Sequence, residues 1–387
     1  MIKPSFIMVF SILLLFYVAL NYFIGLRVWQ TLSGFLPGLN SKIYWPPFWM
    51  VAMSYLIGRL CRQFLPGDIS HGLTLIGAYW LGAMYYLILL LVAVDLTRLL
   101  DRWLTFLPGG MRQTPGIPPV IGLFVLVAVL VIMLYGVWNA RNPQVQRYEL
   151  NIAKKPVNQQ QLRIVMVSDI HLGSIVNNQR LTYLVDMVNQ LKPDLVLLAG
   201  DMLDEDVEAF VEQKMADNFR RLKPKLGTFA VLGNHEYIGG HAEEVIRYLD
   251  EAGVTVLRDS YVKIANSFYV VGRDDRSRKS MGGNQRKNLS ALLQGVDSSL
   301  PIILLDHQPM QLEEPQSQGV DLQLSGHTHR GQMFPNQFIT SRIYEEDWGY
   351  LRKGNFQLIV SSGFGTWGPP IRVGNTPEIV ELDIHFK

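Results

Sequence analysis

An aspartate and a histidine stand two positions apart at the end of an apolar run. Residues 164–167 are apolar and mostly β-branched, which predicts a short buried strand, and Asp169 and His171 follow it. In extended backbone, side chains at positions i and i+2 point to the same side, so this carboxylate and imidazole can converge on one point. Together they could hold a metal ion. The alternative is that the pair forms a turn or consists of satisfied polar groups.

Further polar residues follow other predicted strands along the chain. They are Asp201 after residues 194–199, Asn234 and His235 after 228–232, His307 after 302–305, and His327 and His329 after 322–324. In an open α/β sheet, ligands collect beyond the carboxyl ends of the strands, so we expect one shared site. Five of the eight histidines lie at these strand ends, which scattered surface placement would not produce.

The cysteine count and the charge distribution exclude some functions. Cys61 is the only cysteine, which excludes a disulfide framework and a cysteine-based zinc site, so any metal chemistry would use His, Asp and Asn. Before Pro143 there are nine Lys/Arg and three Asp/Glu, so the net charge of the first part is +6. The remainder contains 26 Lys/Arg and 30 Asp/Glu, a net charge of −4, and the two parts sum to +2. The acidic second part argues against a nucleic-acid partner, which needs a basic surface.

The first part of the chain is predicted to be a four-helix transmembrane domain, residues 1–140. Apolar stretches long enough to cross a bilayer occupy residues 5–26, 43–65, 73–96 and 117–138. The second is the weakest, because Arg59 and Arg62 lie in it. Buried helices of a soluble domain are disfavoured by the length of the stretches and their few charges. Lys154 and Lys155 favour a cytoplasmic position for the second part at the cell (inner) membrane.

The second part is predicted to be an α/β domain, residues 162–387, after a polar linker at 141–161. Strands and helices alternate, which is typical of this class. Beyond the strands already named, we expect strands at 254–257, 268–271, 356–361 and 379–383, and helices at 181–191, 206–222 and 242–251. Residues 273–287 form either a surface loop or a lid that faces the substrate.

The ordered motifs of this domain resemble those of the calcineurin-like metallophosphoesterases. The matching segments are Asp169-x-His171, Gly200-Asp201-x-x-Asp204, Gly233-Asn234-His235-Glu236, the isolated His307, and Gly326-His327-Thr328-His329. The resemblance covers residues 163–383 and leaves out the apolar first part. The ending, residues 361–370 with Arg372, is similar to the membrane-associated bacterial branch of the family.

The resemblance implies a four-layer αββα sandwich with a dinuclear metal site. It implies one set of ligands for each ion and one shared ligand: Asp169, His171 and His329 for the first ion, Asn234, His307 and His327 for the second, and Asp201 between them. Two divalent ions bring +4 and the two aspartates return −2, so the site would attract phosphate and lower the pKa of a bridging water. These ligands suit Mn, Fe or Zn and do not choose between them.

The neighbours of these ligands have more than one interpretation. His235 would protonate the leaving alkoxide or hold the phosphoryl group, unless it is a surface residue after a turn. Asp204 and Asp306 would orient ligand histidines, although Asp204 equally fits a helix cap. Arg372 would contact substrate phosphate or form a structural ion pair. Arg330 would bind a substrate anion or narrow the access to the site.

The favoured hypothesis is a membrane-anchored metal-dependent phosphohydrolase. It would cleave phosphodiester or pyrophosphate bonds by attack of a metal-bridging hydroxide, on a phosphorylated small molecule or a lipid-linked phosphate near the bilayer. The alternative is a catalytically weak membrane sensor or scaffold that retains the fold, but such a protein should have lost Asp201, Asn234 or His307. A transporter is disfavoured by the few charges inside the apolar stretches.

Overall fold

The chain forms two compact units. The computed structural model describes residues 4–109, 114, 116–156, 159–204 and 207–387. One unit comprises Met1–Gly136 together with Gly368–Pro370, and the other comprises Val137–Trp367 together with Ile371–Lys387.

The first unit is helical over its described residues. Its helices are α1 Pro4–Phe35, α2 Ser41–Leu60, α3 Gly67–Leu104 and α4 Ile117–Ala140, whose last turn belongs to the second unit, and a 3₁₀ turn covers Arg62–Phe64. The ion pair between Arg27 and Asp95 joins α1 to α3. Arg27 and Asp95 compensate each other's charge, as charged groups within apolar helices must.

Three of these helices, rather than the four predicted, are long and apolar enough to cross a membrane. In the described part of the chain they are Ile7–Phe35, Gly67–Leu104 and Ile117–Ala140. The predicted span at 43–65 forms a helix, but this helix ends at Leu60 and carries Pro46, Pro47 and Arg59. These residues lower its apolar character. The crossing of a bilayer by the other three helices stays a prediction.

The second unit contains two six-stranded mixed sheets. The strands are β1 Gln144–Ile152, β2 Gln161–Val167, β3 Leu195–Ala199, β4 Thr228–Val231, β5 Val254–Val256, β6 Ser260–Ile264, β7 Phe268–Gly272, β8 Ile302–Leu305, β9 Leu322–Ser325, β10 Gly349–Lys353, β11 Phe356–Val360 and β12 Glu378–Phe386. The first sheet has the order β1-β12-β2-β3-β4-β5 and the second β10-β11-β9-β8-β7-β6. Strands β2 to β5 are parallel, as are β7, β8, β9 and β11.

Three hydrophobic clusters separate four layers, which confirms the predicted αββα sandwich. Side chains alternate along β2: Ile164 and Met166 pack in the cluster between the sheets, whereas Val165 and Val167 pack in the cluster under the helices of the first sheet. A third cluster lies on the outer face of the second sheet and includes Leu289 and Leu304. Both sheets are therefore covered by helices on their outer faces.

The flanking helices are short. They are α5 Asn178–Gln190, α6 Val207–Glu212, α7 Ala216–Phe219, α8 Asn234–Ile238, α9 Ala242–Glu251, α10 Ser277–Ser280, α11 Leu289–Leu292, α12 Glu313–Ser317 and α13 Gln337–Ile343. The single helix predicted at 206–222 is wrong, because two short helices occupy this stretch and Lys214, with φ of 51°, interrupts the helical backbone between them. Residues 205 and 206 lie outside the described residues.

Three strands were not predicted, and all three are sheet edges. Strand β1 pairs with β12 over Gln144–Ile152, so the linker predicted at 141–161 is wrong over this range. Strands β6 and β10 close the two sides of the second sheet. An edge strand is partly solvated and carries polar residues, so it lacks the apolar run by which the central strands were recognised.

Candidate metal centre

The predicted site residues converge at the carboxyl ends of five strands. Because β2, β3 and β4 are parallel neighbours in one sheet and β8 and β9 are parallel neighbours in the other, the turns after them open on a shared edge. The turns carry seven predicted ligands: Asp169 and His171 after β2, Asp201 after β3, Asn234 after β4, His307 after β8, and His327 and His329 after β9.

The first group consists of Asp169, His171 and His329. One ligand atom from each lies within 4.8 Å of the others. The Nε2 atoms of the two histidines are 2.9 Å apart, and His329 Nε2 is 3.5 Å from Asp169 Oδ1. Ligands bound about 2.0–2.2 Å from one cation are separated by distances of this size. All three residues are buried, so their donor atoms face each other and not bulk water.

The second group consists of Asp201, His307 and His327, again within 4.8 Å of one another. His307 Nε2 is 3.1 Å from Asp201 Oδ2, and His327 Nδ1 is 2.8 Å from Asn234 Oδ1, so the predicted amide ligand joins this group. The same Asp201 Oδ2 lies 3.9 Å from His171 Nε2 of the first group. Asp201 is therefore within reach of both groups, as a shared ligand must be.

The contacts of His307 test whether a cation fits. Its Nδ1 lies 2.7 Å from the carbonyl oxygen of Ala199, which can only accept, so Nδ1 carries the proton of the neutral ring. The lone pair of Nε2 then faces the carboxylate oxygen of Asp201, and this buried nitrogen has no hydrogen-bond partner among the described residues. Burial lowers the pKa of His307, but the carboxylates of Asp201 and Asp169 outweigh it and raise this pKa well above its ordinary value. The position therefore requires a positive charge, either a proton on Nε2 or a cation in its place. A metal ion fits this arrangement.

Burial keeps most of the histidines neutral. Burial lowers the pKa of His171 to about 4 and that of His327 to about 3, and the neighbouring His307 adds to the effect on His327. Burial, together with His171 and Arg372, also lowers the pKa of His329 well below its ordinary value. A neutral imidazole can donate a lone pair to a metal ion, so these three rings are ready to act as ligands near pH 7.

The backbone at the site is strained. Five of the seven predicted ligands adopt left-handed conformations, with φ of 51° at Asp169, 52° at His171, 52° at Asp201, 73° at His327 and 48° at His329. For residues other than glycine, such values are uncommon and cost free energy. The left-handed residues turn the chain sharply after β2, β3 and β9 and direct their side chains toward the same point. Sequence patterns gave no indication of it.

Glu236 ties two of the turns together, a role that the sequence did not reveal. It belongs to the motif Gly233–Glu236, yet only its neighbours were assigned functions. Its buried carboxylate accepts hydrogen bonds from Leu203 N at 2.9 Å and from Gly233 N at 2.7 Å. The turn that follows Asp201 is thereby fixed against the turn that carries Asn234. Glu236 is a positioning residue for the metal centre.

His235 and Asp204 form a pair beside the first group. His235 Nδ1 is 3.2 Å from Asp204 Oδ1, and the His235 ring meets the His171 ring edge-on at 4.6 Å. Burial alone would lower the pKa of His235, but the carboxylates of Asp204 and Asp201 raise it to about 9. The ring is therefore protonated near pH 7 and can donate a proton. Asp204 Oδ1 also lies 4.0 Å from His171 Nδ1, which is beyond hydrogen-bond distance, so an orienting role toward His171 stays a prediction.

Arg372 is a structural clamp and does not face substrate. Its side chain is 0% exposed. It donates hydrogen bonds to the carbonyl oxygens of Ser362, Gly363 and Gly365 at 2.6–3.1 Å, and Nη2 lies 3.2 Å from His329 Nδ1. The interpretation as a phosphate contact is wrong in this structure, because these partners occupy the guanidinium. Its partners are backbone carbonyls and not the acid of the predicted ion pair.

Asp306 and Arg330 also have partners other than those predicted. The carboxylate of Asp306 accepts from Arg286 Nη1 at 2.9 Å and from Arg273 Nη1 at 3.4 Å, so the structure places it against cations and not against a ligand histidine. These pairs hold the loop 273–287 to the domain. Arg330 lies over the ring of Trp348, with Cζ 4.0 Å from its centroid, so its charge is turned to an aromatic face.

Comparisons with known proteins agree with this geometry. Residues 162–331 match the family model described as calcineurin-like phosphoesterase. A Danio rerio protein named transmembrane protein with metallophosphoesterase domain is 30% identical over 342 residues, which are 84% of this chain and 76% of that protein. An uncharacterized metallophosphoesterase of Aquifex aeolicus is 35% identical over 247 residues, or 63% of this chain and 92% of that protein. A Bos taurus protein with the same name as the Danio rerio relative is 30% identical over 288 residues, 71% and 64% of the two chains.

The match to the Danio rerio protein extends into the apolar first part of the chain. Residues 162–387 make up less than two thirds of the chain, so a match over 84% of it must extend into the residues before 162. The Aquifex aeolicus relative is matched over nearly its whole length by 63% of this chain. With the αββα fold and the groups of His and Asp that could bind metal ions, these findings show that the chain belongs to the calcineurin-like metallophosphoesterases, hydrolases that act on phosphoric esters.

Proposed function

We propose that the protein is a membrane-anchored phosphohydrolase with two divalent metal ions. One ion would be held by Asp169, His171 and His329, the other by Asn234, His307 and His327, with Asp201 shared by both. The observation that carries this proposal is the position of Asp201 Oδ2, which lies 3.1 Å from His307 Nε2 and 3.9 Å from His171 Nε2, one histidine of each group. A carboxylate has two oxygens and suits ions about 3.5–4 Å apart.

When bound, such ions attract phosphate oxygens and acidify water, which makes a hydroxide nucleophile accessible near neutral pH. The chain's own residues supply the rest of the chemistry. His235, whose pKa is raised to about 9 against the effect of burial, holds a proton that it can give to the leaving oxygen. Asp204, at 3.2 Å from His235 Nδ1, favours the protonated ring by facing the N–H at that nitrogen, and the proton for transfer is the one on Nε2. We assign His235 as the general acid on this basis.

The substrate we propose is a phosphodiester or a pyrophosphate, either a soluble compound or a lipid-linked phosphate. Support for a membrane-bound substrate comes from the three apolar helices and from the relatives that are named transmembrane proteins. We further propose that the protein resides in the inner membrane with its α/β domain in the cytoplasm, on the basis of Lys154 and Lys155 after the last apolar helix. Mn, Fe and Zn are the candidate metals.

A hydrolysis screen with two variants tests the proposal. Detergent-purified full-length protein is assayed on aryl monoesters, diesters and pyrophosphates with Mn, Fe or Zn, and bound metal is measured by elemental analysis. Asp201→Ala should lose both metal and turnover, whereas His235→Ala should retain metal and lose roughly 100-fold or more in turnover of substrates with poor leaving groups. Asp217→Ala, which removes an exposed carboxylate, serves as the control and should behave like the wild type.

The screen separates the proposed enzyme from its alternative. Metal-replete wild-type protein that hydrolyses none of these esters would favour a sensor or scaffold. Unchanged metal content in Asp201→Ala would contradict the assigned ligand set. Equal turnover of His235→Ala and wild type on the substrates with poor leaving groups would remove His235 from the chemistry.

A further inference from the structure

An apolar patch lies on the surface of the α/β unit next to the metal centre. It comprises five large side chains, each about half exposed: Phe334 (46%), Phe338 (54%), Ile339 (58%), Ile343 (61%) and Trp367 (55%). Ile339 and Ile343 are four residues apart on α13 and lie on one side of the helix. Phe334 and Phe338 are in contact, with ring centroids 5.9 Å apart. Soluble proteins rarely expose contiguous apolar groups of this kind unless the surface binds something.

The patch is fixed to the metal centre at two points. Gln332 donates from Nε2 to the carbonyl oxygen of Trp367 and accepts at Oε1 from the backbone N–H of Trp367, both at 2.8 Å. The Trp367 ring in turn meets the His235 ring edge-on, with the ring centroids 6.0 Å apart. At the end of α13, the Tyr344 ring meets the His327 ring edge-on at 6.1 Å. Anything that binds the patch is therefore next to the proposed general acid and a proposed metal ligand.

The helix α13 is held firmly and does not fold its apolar side inward. Thr340 donates to Asp347 Oδ2 at 2.5 Å, and Thr328, between two proposed ligands, donates to the carbonyl oxygen of Asp347 at 2.6 Å. These bonds attach the polar side of α13 to the turn that carries the metal ligands. The apolar side is left on the surface as a consequence.

The patch is also attached to the end of an apolar helix. Phe334 N donates to the carbonyl oxygen of Val373 at 2.8 Å. The adjacent carbonyl oxygen, that of Arg372, accepts from Asn139 Nδ2 at 3.0 Å, and Asn139 lies in the last turn of α4. Arg180 fixes the same turn by donating to the carbonyl oxygen of Ala140 at 2.9 Å. These hydrogen bonds, all within the second unit, join the patch to residues 137–140, the last turn of a helix that is apolar enough to cross a membrane.

We propose that the apolar patch rests in the interface of the bilayer that holds α4. Aromatic and aliphatic side chains beside a cationic one, here Arg342, are typical of surfaces that enter the headgroup region to a depth of about 5–10 Å. Glu345, which follows α13, is paired with Lys353 at 2.8 Å, so its charge is partly compensated. A lipid surface at the patch would bring phosphate-bearing headgroups to the metal centre. This last consequence rests on the proposed function, whereas the contact with lipid does not.

Spin labelling of the full-length protein tests the contact. In a Cys61→Ser background, which removes the only cysteine, Ile339→Cys is labelled with a nitroxide and placed in nanodiscs of phosphatidylcholine and phosphatidylglycerol. The measured quantity is the ratio of collisions with oxygen to collisions with a water-soluble nickel chelate. This ratio should be several-fold higher for a label in the interface than for a label at Ser299→Cys, an exposed control position on the same unit. Ile343→Cys repeats the measurement should Ile339→Cys fail to fold.

Each outcome has a defined meaning. Equal accessibility to nickel chelate at positions 339 and 299 would overturn the proposal, because the patch would then face water. An immobilised label shielded from both reagents would also overturn it, because the patch would then be covered by protein, such as a second copy of the chain. Hydrolysis of an aryl diester by the labelled protein is measured in parallel. Failure of this hydrolysis while the label stays in lipid would contradict the proposed function and leave the membrane contact standing.

Discussion

At the scale of single residues, one residue type performs two tasks in this site because the surroundings differ. His171 and His327 are held neutral by burial and can donate lone pairs. His235 keeps a proton because two carboxylates outweigh the same burial. The environment, and not the side chain, separates the ligands from the proton donor. The same reasoning removes Arg372 from the list of substrate contacts, since its guanidinium is occupied by backbone carbonyls.

We expect Asp204→Asn to move the alkaline limb of the pH–rate profile to lower pH. The proton on His235 is retained below the pKa of the ring and lost above it, and Asp204 raises that pKa. Without the carboxylate, burial lowers the pKa, so activity declines earlier as the pH rises. Bound cations lower the pKa in both proteins, so the difference between them is what is measured. The measurement is kcat of the metal-loaded enzyme on an alkyl phosphodiester across the neutral and alkaline range.

Asp217→Asn is the matched control, because it also removes one carboxylate but from an exposed ion pair with Arg220. Its profile should overlay that of the wild type. An alkaline limb that stays in place in Asp204→Asn would mean that His235 does not supply the proton.

At the scale of secondary structure, the site is made by the turns and not by the strands. The strands end in buried apolar residues, and the left-handed residues that follow bring donor atoms from two sheets to one place. Close contacts require glycine at two of these turns. A Cβ at Gly233 would lie 2.1 Å from Asp201 Oδ1, and one at Gly326 would lie 2.2 Å from Asp169 Oδ2. Glycine is therefore required at positions 233 and 326, because any Cβ there would collide with the neighbouring carboxylate.

We expect Gly326→Ala to weaken metal binding more than it weakens the fold. The added Cβ would displace the Asp169 carboxylate from His329, because the Cβ and the carboxylate oxygen would lie too close together. Calorimetric titration with Mn²⁺ should show at least a tenfold loss of affinity, the size found when supporting groups of metal ligands are removed. Gly173→Ala is the control, because its Cβ would come no closer than 3.5 Å, to Asp204. Equal affinities of the two variants would refute the steric argument.

At the scale of the whole molecule, we expect metal binding and folding to be coupled. The donors of the two groups come from both sheets, so one bound cluster joins the two halves of the sandwich. Without cations, the imidazole of His329, which burial keeps neutral, faces the carboxylate of Asp169 at 3.5 Å. Ligand that binds only the folded protein stabilises it, by about 2.7 kcal/mol at 100 times Kd.

Removal of metal should therefore lower the thermal unfolding temperature of the α/β unit. Scanning fluorimetry of full-length protein in detergent would compare a chelator with added Mn²⁺, and a rise of several degrees with Mn²⁺ is expected for a unit of this size. Asp201→Ala should abolish the rise, since it removes the shared ligand, whereas Asp217→Ala should preserve it. An equal rise in wild type and Asp201→Ala would indicate that the metal acts elsewhere.

The sequence by itself determined the positions of the central strands along the chain, their alternation with helices in an α/β domain, and the family. The strands β2, β3, β4 and β8 are buried on both faces, so each contains an apolar run that is followed by polar residues, which a single sequence displays. Strand β9 is shorter in this respect, with only Leu322 and Leu324 apolar, and was recognised with the motif that follows it. The family was recognised from the spacing of the motifs and is confirmed by the relatives. The apolar stretches were equally visible, although only three of the four have the length and composition of a membrane span.

Only the tertiary structure decided the remaining features, because they depend on contacts between residues distant in sequence. The edge strands β1, β6 and β10 are held by neighbours and not by their own composition. The backbone strain at the ligands, the clamp at Arg372 and the ion pairs of Asp306 all arise from partners that sequence spacing does not specify. The exposed side of α13 is another such feature, since an apolar residue in sequence does not reveal whether it faces a core or the surface until its neighbours are in place.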